Sequence, residues 1–306
     1  MVAVCIIAIS FSSRFLVPSN LINILRQVAA NTILGMGFTF VLASGNIDLS
    51  VGSMIGMLGV ITGLTSKIPG MPFGVALLFG AVIGILSGLF NAVFSAFFGL
   101  PAFVVTLATA QIYKGTCYLL SRNAPITSLP EQFKFIGSGD IIGIPVPVWI
   151  LCVVVIISAT LMYKTKFGRH VIARGGNSEA ARVCGINVKR ISLLVYSIAG
   201  FCSFISSTIL TGRAFSAQPT AGSGMEMDTI AAVVIGGTAL KGGTGNVVGT
   251  IFGCLMIGII NNMLNLAAVD SNWQFIAKGF LIIFAILIDV QTERVYSKIS
   301  LSKKTA

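Results

Sequence analysis

The chain has 306 residues, 55% of them hydrophobic and only 9% charged, with a mean hydropathy of +0.96. Soluble domains carry about 25% charged residues, so this composition cannot supply a water-facing surface and the solvent must be lipid. The net charge of +11 reads as a topological marker, because basic residues of membrane proteins collect on the cytoplasmic side; a nucleic-acid-binding role is excluded.

The first apolar stretch, 1–12, lacks a basic leader and runs into "SSRFLVPSN" with no small-residue cleavage pattern, so it does not read as a cleaved signal. Predicted spans follow at 21–43, 51–66, 72–98, 101–120 and 147–163. A polar stretch at 164–190 interrupts them, with Lys164, Lys166, Arg169, Arg174, Arg182, Lys189 and Arg190 against the single acid Glu179. Four more spans are predicted at 191–212, 228–240, 247–266 and 274–290, for about ten crossings in all. A span needs about 20 apolar residues. The stretches 1–12, 51–66 and 228–240 fall short, which is tolerated where protein or a water-filled cavity satisfies the backbone. The stretch 164–190 and the tail with Arg294, Lys298, Lys303 and Lys304 should face the cytoplasm. Four crossings between them keep both on one side, and six before the loop bring the N-terminus there too.

Two glycine ladders, Gly80–Gly84–Gly88 and Gly245–Gly249–Gly253, place small residues along one helical face and predict close helix packing. "VGSMIG" (Val51–Gly56) and "VGTIFG" (Val248–Gly253) echo each other faintly. The six cysteines form no C-x-x-C pair, and most sit in apolar runs, so neither a disulfide nor a metal site is expected. One histidine, His170, lies in the polar stretch, which argues against a nucleophilic enzyme within the membrane. "GGTALKGGTG" (Gly236–Gly245) fails as a phosphate loop because Gly243 stands where the lysine belongs, and it reads as a tight turn. No cofactor is expected.

The acids Asp48, Glu226, Asp228, Asp270 and Asp289 fall at predicted helix ends, so the path reads as neutral and an ion-coupled carrier is disfavoured. Asp48 is expected to cap the next helix or to serve a gate. Glu226 and Asp228 are expected at the periplasmic start of a helix, capping it or meeting a delivery protein. Neutral polar side chains remain inside the spans. Asn31, Asn91, Thr106, Thr109, Asn261 and Asn265 are candidates for lining a translocation path. Their alternative role is hydrogen bonding between helices.

Within the polar stretch, "NSEAARVCG" has the chemistry of a helix start: Asn177 or Ser178 as N-cap, Glu179 in the first turn, then Ala180 and Ala181, with Gly185 as a stop. A short projecting helix of this kind suits docking to a partner. "ARGGNSEAARVCGINVKR" resembles the cytoplasmic coupling loop of permeases of bacterial ABC importers for ribose and related monosaccharides. "GNIDLSVGSMIG" (Gly45–Gly56), with Asp48, Ser50 and Gly52, resembles that family's G-I-D-L-S-V-G-S signature with Asn46 added. "LPAFVVTLATAQIYKG" (Leu100–Gly115) is similar to its Pro-initiated fifth helix, and Ser216–Thr250, with Asp228, to its long C-terminal signature. The similarity runs from about residue 20 to 290.

The resemblance implies an all-α, polytopic transmembrane bundle of the ribose/vitamin-B12 importer permease type, one permease domain over 1–306 with its coupling loop at 164–190. It implies three partners: a cytoplasmic ATP-binding subunit with two nucleotide-binding domains, a periplasmic sugar-binding protein, and a second permease copy or paralogue. It places coupling on Arg174, Gly175, Gly176, Asn177, Glu179, Ala180, Ala181 and Gly185. It implies residence in the bacterial inner membrane, with both termini cytoplasmic and ATP hydrolysed by the separate partner chain. Permeases for nucleosides or branched-chain amino acids stay open as alternatives.

Overall fold

The computed structural model describes residues 15–270 and scattered positions from 272 to 287. The predicted stretch 1–12, the tail cations and most of 274–290 lie outside the described residues. In chain order the elements are α1 (Pro18–Ala43), α2 (Val51–Ser66), α3 (Phe73–Ala96), α4 (Ala102–Ser121) and α5 (Glu131–Ser138). A hairpin of β1 (Asp140–Ile141) and β2 (Ile144–Pro145) follows, antiparallel with Ile141 opposite Ile144. Then come α6 (Val146–Ala159), a π-helical turn Thr160–Lys164, α7 (Lys166–Gly176), α8 (Ser178–Val183), α9 (Val188–Ala214), α10 (Met225–Ile235) and α11 (Val247–Leu266).

Among the described residues five helices are long and apolar enough to cross a membrane: α1, α3, α6 with its π turn, α9 and α11. The protein is a polytopic helical bundle. Its exterior is as greasy as its core. α3 buries a stripe of small and polar residues, Ala76, Gly80, Gly84, Ser87, Gly88 and Asn91, and turns Leu78, Phe79, Val82, Leu86 and Phe90 outward. In water such a patch would aggregate. In hydrocarbon it costs nothing, and helix association falls to close packing of small residues instead.

That packing is backbone against backbone. A Cβ at Gly84 would lie 2.8 Å from the Gly200 carbonyl oxygen of α9, and one at Gly88 would strike the Tyr196 carbonyl. On α11, Gly249 and Gly253 face the carbonyls of Gly236 and Ala232 in the same way. Both ladders therefore join helices of one chain, although Gly245 itself precedes α11 and packs on Ala43 and Met162.

The predicted span 228–240 is replaced by a broken segment. α9 ends at Phe215 in the left-handed region. Ala217 then exchanges backbone hydrogen bonds with Ile126 and packs near Gly63 of α2. A Cβ at Gly56 would meet the carbonyls of Pro219 and Ala221 at 2.9 and 3.0 Å, and the Gly222 carbonyl would lie 2.6 Å from one at Gly52. The chain thus runs back along α2 through successive turns, with Ala221 N donating to Gln218 O and Ser223 N to Thr220 O. Its contacts pass from Gly63 to Gly52, about 16 Å along the helix. Only then does α10 begin, and its 11 residues reach about 16 Å, half of a hydrocarbon core of about 30 Å. The two echoing motifs open α2 and α11, and their glycine pairs hold consecutive parts of this one segment.

Three turns meet at one end of the bundle: residues 43–50, the stretch 164–190 and the turn 236–246. Gly243 N donates to Ala43 O at 3.0 Å, Val247 N donates to the Tyr163 hydroxyl at 2.8 Å, and Gly175 sits between Ala43 O and Gly243 N. Lys189 Nζ stands 4.9 Å over the Phe97 ring, which brings the α3–α4 turn to the same end. This is the grouping that counting crossings requires. α5, the hairpin and α7 have no counterpart among the predicted elements.

Candidate functional site

Among the described residues, the basic stretch and a cavity beside the broken segment both combine polar chemistry with exposure.

In the basic stretch, α7 is anchored inward. Arg174 donates through Nη1 to Ser44 O and through Nη2 to the Asn46 side-chain oxygen at 3.4 Å. Burial lowers the guanidinium pKa from its ordinary value, and an arginine stays charged all the same. Arg174 is thus an internal clasp, and Gly175 and Gly176 pack on Gly243. Charge-assisted bonds contribute about 1.5–3 kcal/mol each, so Arg174→Ala should lower the unfolding midpoint in detergent. Arg174→Lys should not restore it, because an ammonium cannot fork between two acceptors. Wild-type midpoints in both variants would refute the clasp.

α8 is built as a short capped unit. Asn177 Oδ1 accepts from Ala180 N at 2.9 Å, the geometry of an N-cap. At the other end Gly185 N donates to Arg182 O and Ile186 N to Ala181 O, with Gly185 at φ +83°, a Schellman stop that favours glycine. Glu179 pairs with Arg182 at 2.6 Å on the exposed side. The two alanines part company: Ala180 is exposed, whereas Ala181 is only 4% exposed and packs inward. The outward apolar residue is Val183, 85% exposed, beside exposed Cys184. Sequence reasoning passed over Val183, since only the rotation of α8 shows which side chains face out.

The signature residues lock helix starts together. Asp48, fully buried, accepts from Ser50 N at 2.9 Å and from Ser50 Oγ at 2.6 Å, beside the N-terminus of α2. Asn91 Nδ2 donates to Ser50 Oγ at 2.8 Å and ties α3 to the same point. Thr106 Oγ1 donates to Ala102 O, Thr109 Oγ1 to Thr106 O, and the Tyr113 hydroxyl to Ser87 O. Asn261 Nδ2 donates to Asp228 Oδ2 at 3.0 Å, and Asn31 lies beside this pair. Asn265 is exposed and accepts from Gln274 Nε2.

The cavity, about 200 Å³, lies between α4, the first turn of α2 and residues 219–227. None of the six predicted path residues lines it. α4 shows why: Thr106, Thr109 and Tyr113 form its inward face, while Leu107, Gln111, Lys114 and Tyr118 recur at helical spacing on the face toward the cavity. Two helix N-termini also end there, at Ser50 and Gly224, neither with a side-chain cap hydrogen bond. Ser50 N is already taken by Asp48 Oδ1 and Met225 N by Gly222 O, so the donors left toward the cavity are those of the later first-turn residues. Glu226 is the carboxylate among the lining residues, and a Cβ at Gly52 would collide with it.

The cavity bears on two expectations. Glu226 and Asp228 stand in the first turn of a helix as expected, but that helix is the 11-residue α10, whose start lies against Gly52 of α2. The cavity differs in character from the predicted neutral residues, since it holds a cation and a carboxyl group, Lys114 and Glu226. Lys114 was the legible signal, a lone cation within a predicted span.

The family model described as branched-chain amino acid transport system / permease component matches residues 20–286. The ribose import permease protein of Bacillus subtilis is 41% identical over 93% of this chain and 88% of its own length. That of Haemophilus influenzae is 40% identical over 90% and 86%. The xylose transport system permease protein of Escherichia coli is 30% identical over 92% and 87%. No solved structure matches the chain.

Proposed function

This chain belongs to the branched-chain amino acid transport system / permease component family, and from that premise we propose that it is the membrane-spanning subunit of an ATP-driven ABC importer for ribose or a related monosaccharide. The observation that carries the sugar is near-full-length similarity to two ribose permeases and, less closely, to a xylose permease. It is a multi-pass protein of the bacterial inner membrane, with residues 1–306 as one permease domain and 164–190 as its cytoplasmic coupling segment. Both termini lie on that side. A separate chain with two nucleotide-binding domains hydrolyses ATP, a periplasmic protein delivers the sugar, and a second permease copy or paralogue completes the pore.

The capped, outward-facing α8 supports docking to the ATPase, since it offers Val183 and Ala180 on a rigid turn that ends at Gly185. Closure of the partner domains moves α8, and α7 passes the motion through Arg174 to the 43–50 turn. That turn carries α2, along which the broken segment lies.

Reconstituted with its partners, the protein should take up labelled ribose when a protonophore is present and stop with vanadate. Uptake by the permease alone on a proton gradient would overturn the reading. A second reading, an amino-acid permease, draws on Lys114 and Glu226, which suit the two charges of a zwitterion. Competition by leucine but not by ribose would favour it.

A further inference from the structure

We propose that Lys114 and Glu226 are the solute-contacting pair of the transit path, holding a neutral polyol between a cation and a carboxylate on facing walls of the cavity. The inference rests on the reading of the chain as a monosaccharide permease.

Glu226 Oε2 is buried and finds no hydrogen-bond partner in the chain. A buried carboxyl oxygen left without a partner calls for an explanation, and here it belongs to a side chain lining an open polar cavity. The helical face that carries Gln111 and Lys114 supplies the opposite wall. Lys114 is exposed and takes part in neither ion pair found among the described residues, Arg26–Asp140 and Arg182–Glu179. The two charges share one space without closing on each other. A hydroxyl both donates and accepts, so one hydroxyl of a polyol can donate to Glu226 while another accepts from Lys114 or Gln111 across the cavity. A phosphorylated sugar would instead bring its charge against the carboxylate. The volume of about 200 Å³, below the roughly 300–1,000 Å³ of drug-sized pockets, also fits a small solute.

The test uses the complete importer in proteoliposomes, with its ATPase and delivery protein, and labelled ribose as the probe. Glu226→Gln keeps the shape and removes the charge, and Lys114→Gln does the same on the other wall. Each should lower ribose moved per ATP hydrolysed at least tenfold, while ATPase co-purification and delivery-stimulated hydrolysis stay at the wild-type level. Should Glu226→Gln fail to accumulate, Lys114→Gln decides alone, because an exposed side chain supports little packing. Wild-type ribose uptake in Lys114→Gln overturns the proposal and leaves the permease reading standing. Loss of uptake together with loss of the ATPase also overturns it, by assigning Lys114 to assembly. A wild-type importer that carries leucine and no monosaccharide removes the reading itself, and the polyol with it.

Discussion

Gly88→Leu should leave almost no folded protein in the membrane. At this point α3 and α9 touch through their backbones, since a Cβ on Gly88 would strike the Tyr196 carbonyl and Gly84 stands against the Gly200 carbonyl one turn away. Overpacking typically costs about 1–3 kcal/mol when side chains can shift aside. A carbonyl inside a helix cannot, so two long helices must separate and lose the close packing that joins helices in lipid. Against a total stability of about 5–15 kcal/mol, the variant should fall to a tenth or less of the wild-type yield. Gly115→Leu is the control, because nothing lies within 4 Å of that position. The measurement is the monodisperse peak on size exclusion in detergent. A wild-type peak for Gly88→Leu would show that the two helices are not in contact. Because the glycine neighbours lie within one chain, the defect should appear before any pairing of permease copies.

Val183→Glu should abolish uptake by a different route, leaving the permease inserted and folded. Val183 is 85% exposed at the tip of α8 and touches no part of the core. Surface changes away from special features move stability by about 0.5 kcal/mol or less. A carboxylate pressed into an apolar groove of a partner loses far more, because it would be buried unpaired. ATPase recovered with the tagged permease, and sugar uptake in the same cells, should both fall at least tenfold. Gly185→Val should act similarly by disturbing the stop at φ +83°, where a β-branched residue is strained. Normal ATPase recovery and uptake in both variants would reduce α8 to a linker. Ala181→Arg would instead disrupt the segment from within, because Ala181 packs inward.

Hydropathy and punctuation made most long elements readable. Pro18, Pro72 and Pro101 stand at the starts of α1, α3 and α4, and the observed bounds differ from the predicted ones by a few residues. The cap at Asn177 and the stop at Gly185 were legible because each rests on local backbone chemistry. Rotation was not. Whether Ala180 or Ala181 faces inward, and which polar face of α4 meets the cavity, depends on neighbours distant in sequence. The broken segment was hidden for another reason. Its stability lies in carbonyls resting on glycines of α2 and α11, and a side-chain scale assigns nothing to that contact.

A ribosome releases α9 and the stretch after it before α11 exists. On its own, the 11-residue α10 is too short to cross, and the non-helical backbone before it would strand polar groups in hydrocarbon. Gly249 and Gly253, which support α10, are translated later. When it emerges, the stretch 215–235 has α1 and α2 to lean on, and the younger α11 closes its other side.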